Sequence, residues 1–394
     1  MLEKKINGDS KSIHQPGQPM ISIKKILILS HEFPPFGGGG GRVLARLCDE
    51  LVSRGFEITV LTAAPPTEIM QAFPFNVIYF PTFRKAQFTT SVPAMLLYLI
   101  QVLLYCISGK ARGHDLLFSN MSIPAGIAGI ILQRMLALPH AIWYHNTEVT
   151  QNRPDRAGFL FRTAHLCIGR CASINLFISK GLMDLAKTYG DIPGMRVLPN
   201  AVEQAQEAPL PYSAGDKIFL FAGRMEAVKD PVLILKAAAR LKEKNHIAGM
   251  RFLFVGSGSL YKKVEEEIKR HDLGSFVTLE PAAPFSRMAD LYRSSYALVL
   301  PSIVEGYPTT ILEAGTFGVP ALATQTIGNS DAIVHGETGL LFRRGDAEEL
   351  AMALLAIAED HEDRNRLGKN AFERSKMFSI KNTADIFVEV LRKL

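Results

Sequence analysis

Cysteine is scarce: Cys48, Cys106, Cys167 and Cys171 are the only four in 394 residues, with no CxxC and no zinc-type spacing. That excludes a disulfide framework and a zinc module, and all four are expected to be buried thiols in a reducing compartment. The chain has no Asp-x-Asp sequence and no run of residues with metal-ligand spacing, so neither a metal nor a cofactor is expected. After the second strand-like run stands Thr62-Ala63-Ala64 instead of a ribose-binding acid, which counts against NAD. The first 22 residues mix Lys, Asp, Gln, Gly and Pro around no apolar core, unlike a secretory signal, and read as a flexible leader. The net charge of +6 is too small and scattered for a nucleic-acid partner. It divides as +8 over residues 1–200 and −2 over the rest. The basic first half suits an anionic acceptor or anionic lipid, and equally a plain soluble surface.

What is present is a globular composition, 47% hydrophobic and 21% charged, in a chain long enough for two cores. Short β-rich runs at 25–29, 57–62, 76–80, 115–119, 140–144, 174–178 and 195–198 alternate with helical stretches. The cycle begins again at 218–222 and continues through 251–255, 276–279, 297–300, 319–323 and 340–342. Such alternation predicts parallel sheets wrapped by crossover helices, an α/β protein of two Rossmann-like domains with a cleft between them. The turn-rich stretch at 205–216 marks the boundary: leader 1–22, first domain 23–205, second domain 206–379. A last helix, about 380–394, is expected to pack back onto the first domain. Residues 93–107 (PAMLLYLIQVLLYCI), flanked by Arg84, Lys85, Lys110 and Arg112, fit a crossover helix. They also fit an interfacial membrane helix, and are short for a span.

Three motifs carry chemistry. His31-Glu32-Phe33-Pro34-Pro35-Phe36 leads into five glycines, Gly37 to Gly41, before a helix expected to begin near Arg42. Glycine permits close backbone approach, and the helix N-terminus behind it offers amides to an anion, which makes Gly39 and Gly40 donor-binding candidates. At the end of the eighth run, Gly223-Arg224 with Lys229 five residues on supplies a planar fork and a point charge suited to a diphosphate. The third motif is Pro301-Ser302-Ile303-Val304-Glu305-Gly306-Tyr307-Pro308-Thr309-Thr310-Ile311-Leu312-Glu313. Here a strand ends, a glycine turn follows, and a helix opens near Thr309 with its dipole toward the ligand. Glu305 in the loop and Glu313 in the helix can each accept hydrogen bonds from sugar or ribose hydroxyls.

From about Ile218 to Glu359 the chain resembles the C-terminal domain of the retaining GT-B glycosyltransferases of family 4. The likeness is carried by Arg224 and Lys229, Val255-Gly256-Ser257-Gly258, Glu305-x7-Glu313, Gly318-Val319-Pro320 and Glu337-Thr338-Gly339-Leu340-Leu341. The first half matches through Pro34-Pro35 with the glycine loop, His145 after Ala141-Ile142-Trp143-Tyr144, and Leu198-Pro199-Asn200-Ala201-Val202. The resemblance implies that Arg224 and Lys229 bind the donor diphosphate, Glu313 the ribose and Glu305 the transferred sugar, with His145 beside the reacting carbon. Gly223, Gly256, Gly306, Tyr307, Thr309 and Thr310 complete the expected donor site. Where relatives have Gly-Phe-Gly, this chain has Gly306-Tyr307-Pro308, which removes one amide donor at position 308. Gly328-Asn329 replaces the usual Gly-Gly.

The expected reaction is retaining, metal-independent transfer of a hexose-type sugar from a UDP- or GDP-sugar, the co-substrate, to an acceptor hydroxyl. The acceptor is expected to be a glycan or lipid-linked glycan of cell-surface polysaccharide or glycolipid synthesis, and the setting cytoplasmic, at the inner membrane face. A nucleotide-sugar epimerase of the same architecture and a non-catalytic carbohydrate- or lipid-binding protein are the competing readings.

Overall fold

The computed structural model describes residues 23–35, 38–65, 71–82, 91–145, 156–205, 212 and 215–394. The expected leader, Gly37, Arg84, Lys85 and most of the connection at 206–214 lie outside the described residues. Two compact units emerge, one of residues 1–201 with Ile380–Leu394, the other Val202–Ser379.

The first unit holds a seven-stranded parallel sheet: β1 (Lys25–Leu29), β2 (Glu57–Ala63), β3 (Asn76–Phe80), β4 (Leu116–Asn120), β5 (His140–Tyr144), β6 (Ile174–Phe177) and β7 (Met195–Val197). Their order is β3-β2-β1-β4-β5-β6-β7. Strands such as Leu116–Asn120 and His140–Tyr144 are buried along their whole length, as a sheet covered on both faces requires, so they read as apolar runs rather than alternating ones. The crossovers are α1 (Gly39–Ser53), α2 (Val92–Tyr105), α3 (Ile127–Leu136), α4 (Arg156–Cys171) and α5 (Lys180–Lys187). Helix α1 begins at Gly39, three residues before the expected Arg42, so Gly39 to Gly41 form its first turn. Cys48 and Cys106 are buried, but Cys167 is exposed and Cys171 half-buried on α4, which corrects the expectation of four buried thiols. Four residues apart, these two lie on one side of that helix, away from its packed face.

The second unit contains β8 (Lys217–Ala222), β9 (Met250–Val255), β10 (Val277–Glu280), β11 (Ala297–Leu300), β12 (Ala321–Thr324) and β13 (Gly339–Phe342), again all parallel. Their order is β10-β9-β8-β11-β12-β13. Around it lie α6 (Val232–Glu243), α7 (Tyr261–Arg270), α8 (Phe285–Arg293), α9 (Thr309–Thr316), α10 (Ile327–Ala332), α11 (Ala347–Glu359) and α12 (His361–Ser375). Phe219, Phe221, Phe252 and Phe254 fill the core under β8 and β9.

The chain then returns to the first unit as α13 (Ile380–Leu391), against α1. Phe387 meets Phe118 at 5.0 Å between ring centroids, and Arg54 bonds Asp385 at 2.6 Å. In both sheets the strand order reverses direction once, between β1 and β4 and between β8 and β11. A parallel sheet leaves a crevice outside the carboxyl ends of its strands at such a reversal. His31 and Glu32 follow β1, and Gly223 and Arg224 follow β8.

Candidate active site

In the second unit, β8 ends at Ala222 and Gly223 turns toward Arg224, which is exposed. Gly256, leaving the neighbouring strand β9, presses on that turn: a Cβ there would sit 1.9 Å from the Gly223 carbonyl oxygen. A Cβ at Gly223 itself would meet nothing within 4 Å, so that backbone faces open space. Only glycine at 256 allows the two strand exits to lie this close. Beside Arg224, the Glu226 carboxylate accepts from the Ser259 amide at 3.0 Å and its hydroxyl at 2.6 Å. Those bonds first, and then the charge of Arg224, hold Glu226 below the usual carboxylate range. They fasten the loop after β9 to the loop after β8.

Lys229 closes a single 3-10 turn, and its Nζ forms an ion pair with Glu305 Oε1. Ser302 Oγ donates to the same oxygen at 2.7 Å, and the Ile303 amide bonds the Val228 carbonyl at 2.8 Å. Arg224, Lys229 and Glu305 thus occupy adjoining loops at the β8–β11 reversal. Behind Glu305 lies Gly328, whose amide donates to the Glu305 carbonyl at 3.1 Å and whose Cβ would fall 2.4 Å from the Gly306 carbonyl carbon. The Gly328-Asn329 pair therefore carries the Glu305-Gly306 backbone, with the Asn329 side chain tied to the Thr324 carbonyl at 2.8 Å.

Helix α9 opens at Thr309 after Pro308, and no side chain caps it. Its first amides, at Thr309 and Thr310, lack intrahelical partners by construction and add the positive end of the helix dipole. Glu313, one turn further, is half-buried and accepts a hydrogen bond from the Tyr292 hydroxyl at 2.9 Å. Tyr307 is placed differently from a ligand-facing side chain: its ring is buried, 5.4 Å from Phe378, and burial raises its hydroxyl pKa.

In the first unit, His145 follows β5 and is buried. Its Nε2 lies 2.9 Å from Asn120 Oδ1, and Asn120 Nδ2 donates to Ser30 Oγ at 3.0 Å. Ser30 Oγ in turn donates to the Glu32 carbonyl at 2.6 Å. This chain sets Nε2 as the protonated nitrogen and turns Nδ1 toward Gly40, where a Cβ would come within 3.3 Å of it. Burial lowers the His145 pKa to about 4, so the ring is neutral near pH 7. Gly41 packs on the Glu32 carbonyl, 2.8 Å from where its Cβ would be, and Glu32 Oε2 accepts the Gly38 amide at 3.1 Å. The glycines serve here to let the first turn of α1 lie against Glu32 and His145, at a cost in helix propensity.

Four of these residues carry no motif in the sequence: Ser30, Asn120, Glu226 and Tyr292. Asn120 alone left a sign, a polar residue closing a strand that is otherwise nearly all apolar. Among the described residues, no three His, Cys, Asp or Glu side chains gather as a metal site.

Comparison with known proteins gives two family matches, Glycosyltransferase Family 4 over residues 37–206 and Glycosyl transferases group 1 over residues 202–374. A D-inositol 3-phosphate glycosyltransferase of Arthrobacter sp. (strain FB24) is 31% identical over 294 residues, covering 70% of each chain. An uncharacterized glycosyltransferase of Methanocaldococcus jannaschii is 25% identical over 359 residues, 91% of this chain and 95% of that one. Among solved structures, sucrose-phosphate synthase from Thermosynechococcus elongatus aligns with a TM-score of 0.81 at 20% identity, covering 94% of this chain and 98% of that one. Anabaena HepE in complex with UDP and glucose aligns with a TM-score of 0.75 at 17% identity, covering 94% and 100%. The architecture is GT-B, with two Rossmann-like domains.

Proposed function

The chain belongs to glycosyltransferase family 4, and within that family we propose that it moves a hexose from a nucleoside-diphosphate sugar to an acceptor hydroxyl with the anomeric configuration retained. The observation that carries this reading is the convergence of Arg224, Lys229, Glu305 and the uncapped start of α9 at one strand-order reversal. When the sugar–phosphate bond breaks, negative charge grows on the leaving diphosphate. Arg224 offers a fork of donors, Lys229 a point charge, and Thr309 and Thr310 fixed amides, so that charge is met by groups already in position. Protein cations suffice for this neutralisation, and no metal or cofactor is assigned.

Glu305 is assigned to hydroxyls of the transferred sugar and Glu313 to the ribose; both are acceptors held by neighbours that fix their orientation. Neutral His145 is assigned to a sugar hydroxyl, as a hydrogen-bonding group and not as a charged acid. No side chain here is assigned as a covalent nucleophile, and attack from the leaving-group face accounts for retention. UDP bound by HepE supports a uridine nucleotide, and GDP is the second candidate.

We place the acceptor among glycans or lipid-linked glycans of cell-surface synthesis and the enzyme in the cytoplasm at the inner membrane face. The +8 charge of the first 200 residues supports an anionic acceptor or surface there. A thermal-shift screen against UDP, GDP, ADP and their sugar conjugates tests the donor, since a ligand of the folded state raises the melting temperature. No shift with any of them defeats the reading. A donor sugar changed without acceptor points to an epimerase instead.

A further inference from the structure

Nine of the fourteen large hydrophobic side chains exposed among the described residues lie on one helical layer of the first unit, α2 with the turn after it, α3 and α4. In α2 the exposed set is Val92, Leu96, Ile100 and Leu104, each more than half exposed. Four-residue spacing at about 100° per residue keeps them within a ~120° arc. The buried set, Ala94, Tyr98 and Val102, lies on the opposite arc and packs on the sheet, with Tyr98 donating to the Leu61 carbonyl at 2.9 Å. Residues Val92–Lys110 are long and apolar enough to cross a bilayer by length and composition. The packed face of α2, bonded to β2 through Tyr98, instead leaves the apolar stripe on the outside of the unit. Helix α3, packed beside α2, exposes Ile131 and Met135, and α4, packed beside α3, exposes Phe159 and Leu160.

The charge of the same layer has one sign. No Asp or Glu occurs in α2, α3 or α4, or in the turns Cys106–Lys110 and Ser122–Gly126. Asp115, the one acid between residues 92 and 145, is used at the start of β4, where it accepts the Lys24 and Lys25 amides at 2.8 Å each. Exposed cations at the rim are Lys110, Arg112, Arg134 and Arg170. A second copy docked on this face would bring like charges together with no carboxylate to pair them. A bilayer with anionic headgroups matches both features, accepting the apolar stripe below the headgroups and pairing the cations with phosphate at that level.

We propose that the outer face of α2, α3 and α4 is a docking surface for an anionic lipid bilayer, on which the enzyme lies as a peripheral protein. The purpose given to it, access to a membrane-borne acceptor, rests on the glycosyltransferase reading above; the surface itself does not. The full chain is tested by flotation with vesicles of phosphatidylglycerol and phosphatidylcholine, against phosphatidylcholine alone. The wild type is expected to float with the anionic vesicles and to be released by high salt. Leu96→Glu/Ile100→Glu and Lys110→Ala/Arg112→Ala/Arg134→Ala should each reduce the bound fraction about tenfold or more. Melting temperature and UDP-induced shift should stay at wild-type values, because the substituted side chains face solvent. Wild type that stays with the soluble fraction, or variants that float as well as wild type, overturns the proposal. So does a wild-type dimer, by sedimentation velocity, that dissociates in Leu96→Glu/Ile100→Glu, since the face would then belong to a second copy. Loss of the UDP shift in wild type would instead strike the glycosyltransferase reading and leave the flotation result standing.

Discussion

Lys229 and Glu305, 76 residues apart, are joined as an ion pair with side chains 20% and 8% exposed. Ser302 Oγ donates to the same Glu305 oxygen at 2.7 Å. The cation proposed for the leaving diphosphate is thus positioned by the acid proposed for the sugar. Replacing Glu305 by Gln keeps the shape and removes the charge. The variant should still give a UDP thermal shift while initial transfer rates fall about 100-fold, the scale seen when one preorganised transition-state contact is lost. Transfer at wild-type rate would remove Glu305 from the chemistry.

Arg224→Ala removes the exposed fork beside Glu226. Charge-assisted bonds to phosphate are roughly twice as strong as neutral ones, so calorimetric titration with UDP should show affinity lowered by about tenfold or more. Unchanged affinity and turnover would defeat the diphosphate assignment.

Tyr292→Phe deletes only the hydroxyl that donates to Glu313, and leaves the ring stacked 5.9 Å from Phe317. A hydrogen bond to a charged group contributes about 1.5–3 kcal/mol. If Glu313 holds the ribose in ground and transition states alike, KM for the donor rises about tenfold and kcat stays unchanged. A fall in kcat with KM constant would assign Glu313 a different part of the donor.

Gly256→Ala sets a methyl group against the Gly223 carbonyl, where 1.9 Å is available. Backbone must move, at a cost of about 1–3 kcal/mol, or a melting temperature lower by about 2–12 °C. Gly274→Ala, whose Cβ meets nothing within 4 Å, is the control and should melt as wild type does. Equal melting of both variants would show that the two strand exits are not pressed together.

Burial depresses three histidines of the first unit: His145 and His165 to about 4, His140 to about 3. An unfolded histidine takes up its proton near pH 6.5, so the unfolded chain binds more protons in this window and stability falls as pH drops. The contribution of each is complete above pH 6.5 and is lost progressively toward its folded value, at about 1.4 kcal/mol per pH unit. Melting curves between pH 6.5 and 5 should show the loss, and His165→Gln should reduce proton uptake on unfolding by about one. A pH-independent melting temperature over that range would contradict the burial of these rings.

Much of the scaffold was legible along the chain. Runs such as Lys25–Leu29, Asn76–Phe80, His140–Tyr144 and Ala297–Leu300 stand where their apolar, β-rich composition put them. Other strand ends moved by a residue or two, as at β12, which begins after Pro320, a residue that cannot donate to the ladder. The start of α1 differs from the sequence expectation because glycine propensity argues for a loop, whereas close packing of Gly41 on Glu32 and Gly40 on His145 favours the helical turn. The motif places Tyr307 in the expected donor site but says nothing of its ring, which turns inward toward Phe378 and Arg374, 71 and 67 residues onward.

Local chemistry was therefore written in the chain itself: buried parallel strands, the residue types at their ends, and the family those motifs belong to. Composition and spacing act over a few residues, and a strand, a glycine turn or a helix start needs nothing more. Which side chains meet was decided only by tertiary structure. Lys229 reaches Glu305 because β8 lies beside β11, Gly256 presses on Gly223 because β9 lies on the other side, and Asn120 meets His145 because β4 pairs with β5. Those neighbours are set by crossover order and packing across the whole sheet, which no short window of sequence contains.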